Sequence, residues 1–319
     1  MIRAFLLAAG LVATSCSAAQ ALTTRTWISG KGVDQAGCGP IASPCRTLQF
    51  AHDNTGDGGE IDVLDPAGYG SVNITKSISI VNDGVGTAGV LAPPSGDAVN
   101  IDAGTNATVL LRGLTIEGAG VGRNGVVFAS GGALTIDTCL VRGFTGASST
   151  AGNGILLKPT AGLPNIIVSN TTISDNGYVG LYYLPQGVVG RLAIDRVMSS
   201  NNQYGFSLTT SAAGPLVRHQ ISMTDCRATH NSQRGIEHIG NAVATSVVNL
   251  RRCVTTQNGT GLYLRNASFV LDEVTSHGNA NSGTPDLFVE TGTVGTYKNN
   301  SIISAGGPGI ASQTPLQPF

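Results

Sequence analysis

One spacing governs what this chain can fold into. From about Leu111 onward a unit recurs in which an apolar residue and two polar residues precede a small or apolar one. The copies run Leu111 to Leu114, Ile136 to Cys139, Val168 to Thr171, Ile194 to Val197, Met223 to Cys226, Leu250 to Cys253 and Leu271 to Val274. Their last residues lie 25, 32, 26, 29, 27 and 21 positions apart. Five residues beyond each of the last five comes an Asn (Asn176, Asn202, Asn231, Asn258, Asn279), then a Gly (Gly180, Gly205, Gly235, Gly261, Gly283). Such a period is that of a solenoid, whose units cannot bury a core alone and must stack. Within each unit apolar and polar residues alternate with period two and no helical periodicity intervenes, so the unit is a coil of short strands.

Stacking sets equivalent residues of successive coils about 4.8 Å apart, so like residues form ladders. Cys139, Cys226 and Cys253 then share one inward column with Leu114, Thr171, Val197 and Val274, where a free thiol acts as a small hydrophobe. Asn is expected at the bend because it tolerates left-handed backbone angles and can hydrogen-bond its own chain. The residues just before the column read Arg196, Asp225, Arg252 and Glu273, an alternating-sign ladder. Support for register is the preferred account of it, over a charged binding strip.

Composition agrees with an all-β chain. Gly fills 44 of 319 positions and aromatic residues only 5%. Gly, Ser, Thr and Asn favour turns and strands over a helical bundle. Charged residues make up 12% and the formal net charge is −1, which argues against both a disordered polyelectrolyte and a nucleic-acid partner.

The start reads as a secretory leader. Arg3 precedes the apolar run Ala4–Val12, and Ala19-Gln20-Ala21 is a small-x-small cleavage site, so residues 1–21 are expected to be removed. A lesser alternative treats Cys16 as a lipid-modified cysteine. No later segment is long and apolar enough for a transmembrane helix. The expectation is a secreted, periplasmic or extracellular protein, monomeric or weakly oligomeric. In an oxidising compartment Cys38 and Cys45, which bracket a short loop, are expected to pair.

With these residues in place, the chain resembles the pectate-lyase-like, right-handed parallel β-helix superfamily. Arg25–Asp34 resembles the opening strand and turn, Pro44–His52 the short helix that plugs the first coil, and Gly59–Tyr69 with Ile74–Ile80 the first strands. Leu48 and Ala51 share a helical face suited to covering the open end of the stack. The resemblance implies an all-β right-handed parallel β-helix (solenoid) with an N-terminal capping helix near Cys45–Asn54. It would occupy 22–319 as a single domain, with the cap and first coils at about 22–110 and regular repeats at about 111–319. It implies no particular activity, because lyases, hydrolases, epimerases and adhesins share the scaffold. The superfamily's paired-Asp, Arg-x-Pro-x-x-Arg and Asp-Pro-His active-site motifs are absent.

In this fold the usual groove runs along the strand after the repeat Gly. Alternation points Val127, Leu156, Tyr182, Ser207, Glu237 and Tyr263 outward there, with Lys158 and Arg265 just beyond. One acid in that row disfavours a paired-carboxylate hydrolase. A lyase would use Lys158 or Arg265 as base, with Glu237 and His238 as further catalytic candidates and Ca²⁺ to neutralise a uronate. Tyr182 and Tyr263, with Glu237, Arg265 and Lys158, are the substrate-binding candidates. The plain alternative is a solvated strand face. The histidines show no zinc spacing, so no metal site and no cofactor beyond that Ca²⁺ is implied. The expected function is polysaccharide binding without turnover. The alternatives are a divergent uronate lyase and a structural or adhesive solenoid.

Overall fold

A computed structural model describes residues 22–210, 219–241, 246–279, 285–306 and 313–315. The expected leader, Cys16 and the repeat glycine Gly283 lie outside them. The described chain forms strands apart from one helix, Leu48–Asn54. The strands belong to one 12-stranded and two 10-stranded parallel sheets, and each turn of the chain visits all three in the same order. The first sheet includes Arg191–Asp195 and Gln220–Thr224, the second Met198–Ser200 and Arg227–Thr229, the third Tyr204–Thr209 and Arg234–Ile239.

The repeat read from the sequence is this coil. Leu111, Ile136, Val168, Ile194, Met223, Leu250 and Leu271 are register partners along the first sheet, all buried. The column from Leu114 to Val274, with its three thiols, is buried as well. Just ahead of it the chain turns through a left-handed residue in every copy: Gly113, Thr138, Asn170, Arg196, Asp225, Arg252 and Glu273 all have positive φ. One pair of the charges there closes across coils, Arg252 donating to both Asp225 oxygens at 2.7 Å, while Arg196 pairs with the adjacent Asp195 and donates to Asn170 of the preceding coil.

The bend between the second and third sheets corrects one expectation. The left-handed residues are Asp175, Asn201, His230, Gln257 and Gly278, each one position before the recurring Asn. The Asn side chains instead turn inward and form a ladder. Asn176 Nδ2 donates to Asn202 Oδ1 at 3.0 Å, Asn202 to Asn231 at 3.1 Å, Asn231 to Asn258 at 2.9 Å and Asn258 to Asn279 at 2.8 Å. The reason is accounting: a bend buried in a stack must satisfy its own backbone groups, and a carboxamide both donates and accepts. The repeat Gly has the same cause. A Cβ on Gly235 would lie 2.7 Å from Gly261 O and 2.8 Å from Asn258 Nδ2, so the next coil's ladder leaves no room for one.

The open end is closed as expected. Thr47 caps the helix by accepting from Phe50 N–H at 3.3 Å, and Leu48 and Ala51 are buried against the first coil. Cys38 and Cys45 are disulfide-bonded with Cα atoms 5.0 Å apart. No helix among the described residues is long and apolar enough to cross a membrane.

Candidate functional site

The third sheet's outer face carries the residues expected to form a groove. Val127, Leu156, Tyr182, Ser207, Glu237 and Tyr263 are successive register partners, and Phe288 extends the row. Alternation along Arg234–Ile239 sends Glu237 outward and its neighbour His238 inward. His238 is wholly buried beside Phe269, which removes it from the catalytic candidates. Lys158 and Arg265 flank the row from strands four coils apart, a separation of about 19 Å at the coil spacing, so they cannot serve one reacting centre.

This row is less open than alternation alone suggests. Tyr182, Glu237 and Tyr263 are 8%, 5% and 6% exposed. Arg234 lies over one face of the Tyr263 ring, 3.5 Å from its centre, and Phe288 of the following coil stacks at 5.8 Å and 6°. Both ring faces are therefore taken. Tyr182 packs with Val127, Leu156 and Val179, and Tyr178 meets it edge-on at 6.2 Å. Glu237 accepts from Ser207 Oγ and pairs with Arg234 at 2.5 Å, while Tyr263 donates to Glu290. Burial pushes the Tyr182 hydroxyl up to about 12, and burial with the Glu290 contact raises Tyr263, so neither phenol is a base near neutrality.

Sequence reasoning missed Arg234, Tyr178, Tyr204, Phe288 and Glu290. Arg234 and Tyr204 each immediately precede a repeat Gly and are register partners, a position that could have been read from the repeat itself. Glu290 lies among the less regular last coils, between the strands Leu287–Val289 and Gly292–Thr296, and carried no such signal.

A Ca²⁺ ion asks for six to eight oxygens. Beside this row the carboxylates are Glu237 and Glu290, each already bonded, and no group of three or more His, Cys, Asp or Glu side chains gathers anywhere among the described residues. The residues present do not fit the ion.

The first sheet offers a different surface. Asn165, Arg191, Gln220 and Val247 are register partners on four consecutive coils, and Ile167, Ala193, Ser222 and Asn249 form the adjoining outward row. Together, apart from Ile167, they line an open depression of about 530 Å³. Arg191 Nε donates to Gln220 Oε1 at 2.9 Å across the coils. Small side chains, Ala193 and Ser222, make the floor low, and amides with a guanidinium make the rim.

A family model described as right handed beta helix region matches residues 97–280. A solved structure titled rhamnogalacturonan lyase is similar over 92% of this chain and 86% of that one, with a TM-score of 0.43 and 11% identity. That likeness bears on neither activity nor site. No curated protein matches the chain.

Proposed function

Because the chain belongs to the right-handed β-helix family, we propose that it binds polysaccharide along the outside of its coils without turning it over. The observation that carries this reading is the first-sheet depression. Its guanidinium and amide side chains supply directed hydrogen bonds, and exposed Ile167 and Val247 beside them supply apolar contact. Four coils make a strip about 14 Å long parallel to the axis, the shape an extended chain molecule needs. Access favours this face over the Tyr182–Tyr263 row, whose ring faces are occupied. Tyr182, Tyr263, Glu237, Arg265 and Lys158 remain the competing surface. Export with loss of residues 1–21, and a monomeric or weakly oligomeric state, belong to the same reading.

A second reading is a divergent uronate lyase, favoured by the connected group of Ser207, Glu237 and Tyr263, which are buried, with the half-buried Arg234 and Glu290. One screen separates the two. Purified protein is incubated with uronate-containing and neutral polysaccharides, with and without Ca²⁺, and absorbance of unsaturated uronates is followed; a glycan array follows. Binding without turnover, weakened tenfold or more by Arg191→Ala with Asn249→Ala but not by Arg265→Ala, supports the first-sheet strip. The reverse pattern moves the site to the third sheet. Turnover lost on Glu237→Gln establishes the lyase, and a flat array leaves a structural or adhesive solenoid.

A further inference from the structure

A second hollow opens beside the first-sheet depression and shares two side chains with it. Leu163, Val189 and Gly190 line a cleft of about 200 Å³ together with Arg191 and Gln220, and those last two also rim the depression. Leu163 and Val189 each stand two residues ahead of the register partners Asn165 and Arg191, so they hold equivalent places on consecutive coils. Leu163 is 77% exposed, the most of any large apolar side chain among the described residues, and Val189 is half-buried. Packing of the coil explains neither, because both lie outside the core that the inward columns form.

The backbone behind them is fixed. Arg191 N–H donates to Pro164 O at 2.9 Å and Gln220 N–H to Gly190 O at 3.3 Å, which ties three successive coils together at this point. Gly190 N–H donates to His219 Nδ1 at 3.3 Å, and a Cβ at Gly190 would lie 2.5 Å from the buried Tyr183 hydroxyl, so this wall stays free of a side chain. Backbone held from both sides keeps the shape of the cleft before a ligand arrives, and a site formed in advance loses less on binding.

The polar rim has one character. Arg191 Nε donates to Gln220 Oε1 at 2.9 Å, which occupies the amide's acceptor and leaves its Nε2 and the two terminal guanidinium nitrogens as donors. Among the described residues no carboxylate lines either hollow. A group that fits must bring an acceptor to Arg191 and Gln220 and, beside it, an apolar end to Leu163 and Val189. A sugar hydroxyl, a carboxylate and a sulfate lack the apolar end, and the methyl of a deoxy sugar brings no acceptor. An acetyl group has both on one carbon, a carbonyl oxygen that only accepts and a methyl.

We propose that this cleft is an acetyl subsite. Where the strip holds a polysaccharide, an acetyl substituent, carried as an ester or an amide, sets its methyl between Leu163 and Val189 and accepts through its carbonyl from Arg191 and Gln220. The subsite presupposes the first-sheet strip as the polysaccharide site and names the chain that strip takes, an acetylated one.

The test compares ligands that differ in that group alone, by isothermal titration calorimetry on the intact protein. One pair is acetylated xylan and the same xylan after mild alkaline deacetylation. The other is a tetramer of N-acetylglucosamine and its N-formyl counterpart, which keeps the carbonyl and lacks the methyl. One methyl in an apolar pocket is worth about 10-fold or more in affinity, so the acetylated member of at least one pair is expected to bind about 10-fold tighter. Which pair responds tells ester from amide. Leu163→Ser and Val189→Ser lie outside the core, so the thermal midpoint is expected to hold, and each should cut the preference to within about threefold. Equal binding within both pairs, still weakened by Arg191→Ala, overturns the subsite and leaves the strip. A preference that both serine variants leave intact also overturns it, since the acetyl group is then read elsewhere. Absence of binding to all these ligands overturns the subsite and the strip together.

Discussion

Replacing Asn231 with Ala removes four hydrogen bonds in one step. Its Nδ2 donates to Ser199 O at 3.1 Å and Asn258 Oδ1 at 2.9 Å, and its Oδ1 accepts from Asn202 N and Nδ2, both at 3.1 Å. Two side-chain groups keep other partners, because Asn202 Nδ2 still reaches Ser199 Oγ at 3.1 Å and Asn258 Oδ1 still accepts from Asn231 N at 3.0 Å. Ser199 C=O likewise keeps a partner in the sheet, since its pairing with Ala228 has it accept from Thr229 N–H. One backbone group does not: Asn202 N–H loses the partner it has on this bend. A buried orphan costs about 1–3 kcal/mol, so the expected loss is about 2 kcal/mol. Asn231→Asp should cost at least as much at neutral pH, since a carboxylate can still accept from Asn202 but faces Ser199 O and Asn258 Oδ1, two acceptors.

The far end of the ladder supplies the control. There the stack ends in Asp286, which accepts from Asn279 N at 3.2 Å and Nδ2 at 2.9 Å, and from Ser304 N at 3.2 Å and Oγ at 3.1 Å. An acceptor without donors suits that last rung. Asp286→Asn should keep the bonds to Asn279 and lose the one to Ser304 N–H, costing about 1–2 kcal/mol. Chemical denaturation followed by far-UV circular dichroism, with local hydrogen exchange at 199–202, measures both. If Asn231→Ala loses less than about 1 kcal/mol, or if Asp286→Asn costs more than Asn231→Asp, the ladder is not what satisfies this bend.

Three further outcomes follow from the same coil. Gly235→Ala should destabilise by about 1–3 kcal/mol although its backbone angles are ordinary, because the Cβ meets Gly261 O and Asn258 Nδ2; an unchanged denaturation midpoint would show that the neighbouring coil yields freely. Cys45→Ser should cost about 2 kcal/mol and loosen the cap selectively, seen as faster exchange over 25–28 and 48–54, and uniform or absent loosening would contradict an end-capping role for the Cys38–Cys45 link. N-terminal sequencing of exported protein should begin at Leu22; a chain retaining Met1 refutes the leader, and lipid on Cys16 moves it to the anchored form.

Much of the architecture is visible in the amino-acid sequence because a stacked coil writes its geometry into spacing. The column from Leu114 to Val274, the anchors from Leu111 to Leu271 and the pairing of Arg252 with Asp225 all follow from a period and from alternation. Those are local properties that repeat in register. The helix that plugs the first coil and the Cys38–Cys45 bond are legible for a similar reason, since both close over short stretches of chain.

What only the tertiary structure decides is what one coil does to the next. The recurring Asn reads as a turn residue from its own backbone, yet its task lies in the carboxamide of the coil above. The recurring Gly reads as a flexible joint, yet it is Gly because that carboxamide approaches too closely for a Cβ. Glu237 and His238 are adjacent letters that the pleat sends to opposite sides, one to an ion pair and one into the core. Tyr263 looks from its position like a ring open to a ligand, until Arg234 and Phe288 from the coils on either side cover both faces. Spacing determines which residues lie in line along the axis; contacts across about 4.8 Å between coils determine which of them remain free to meet anything else.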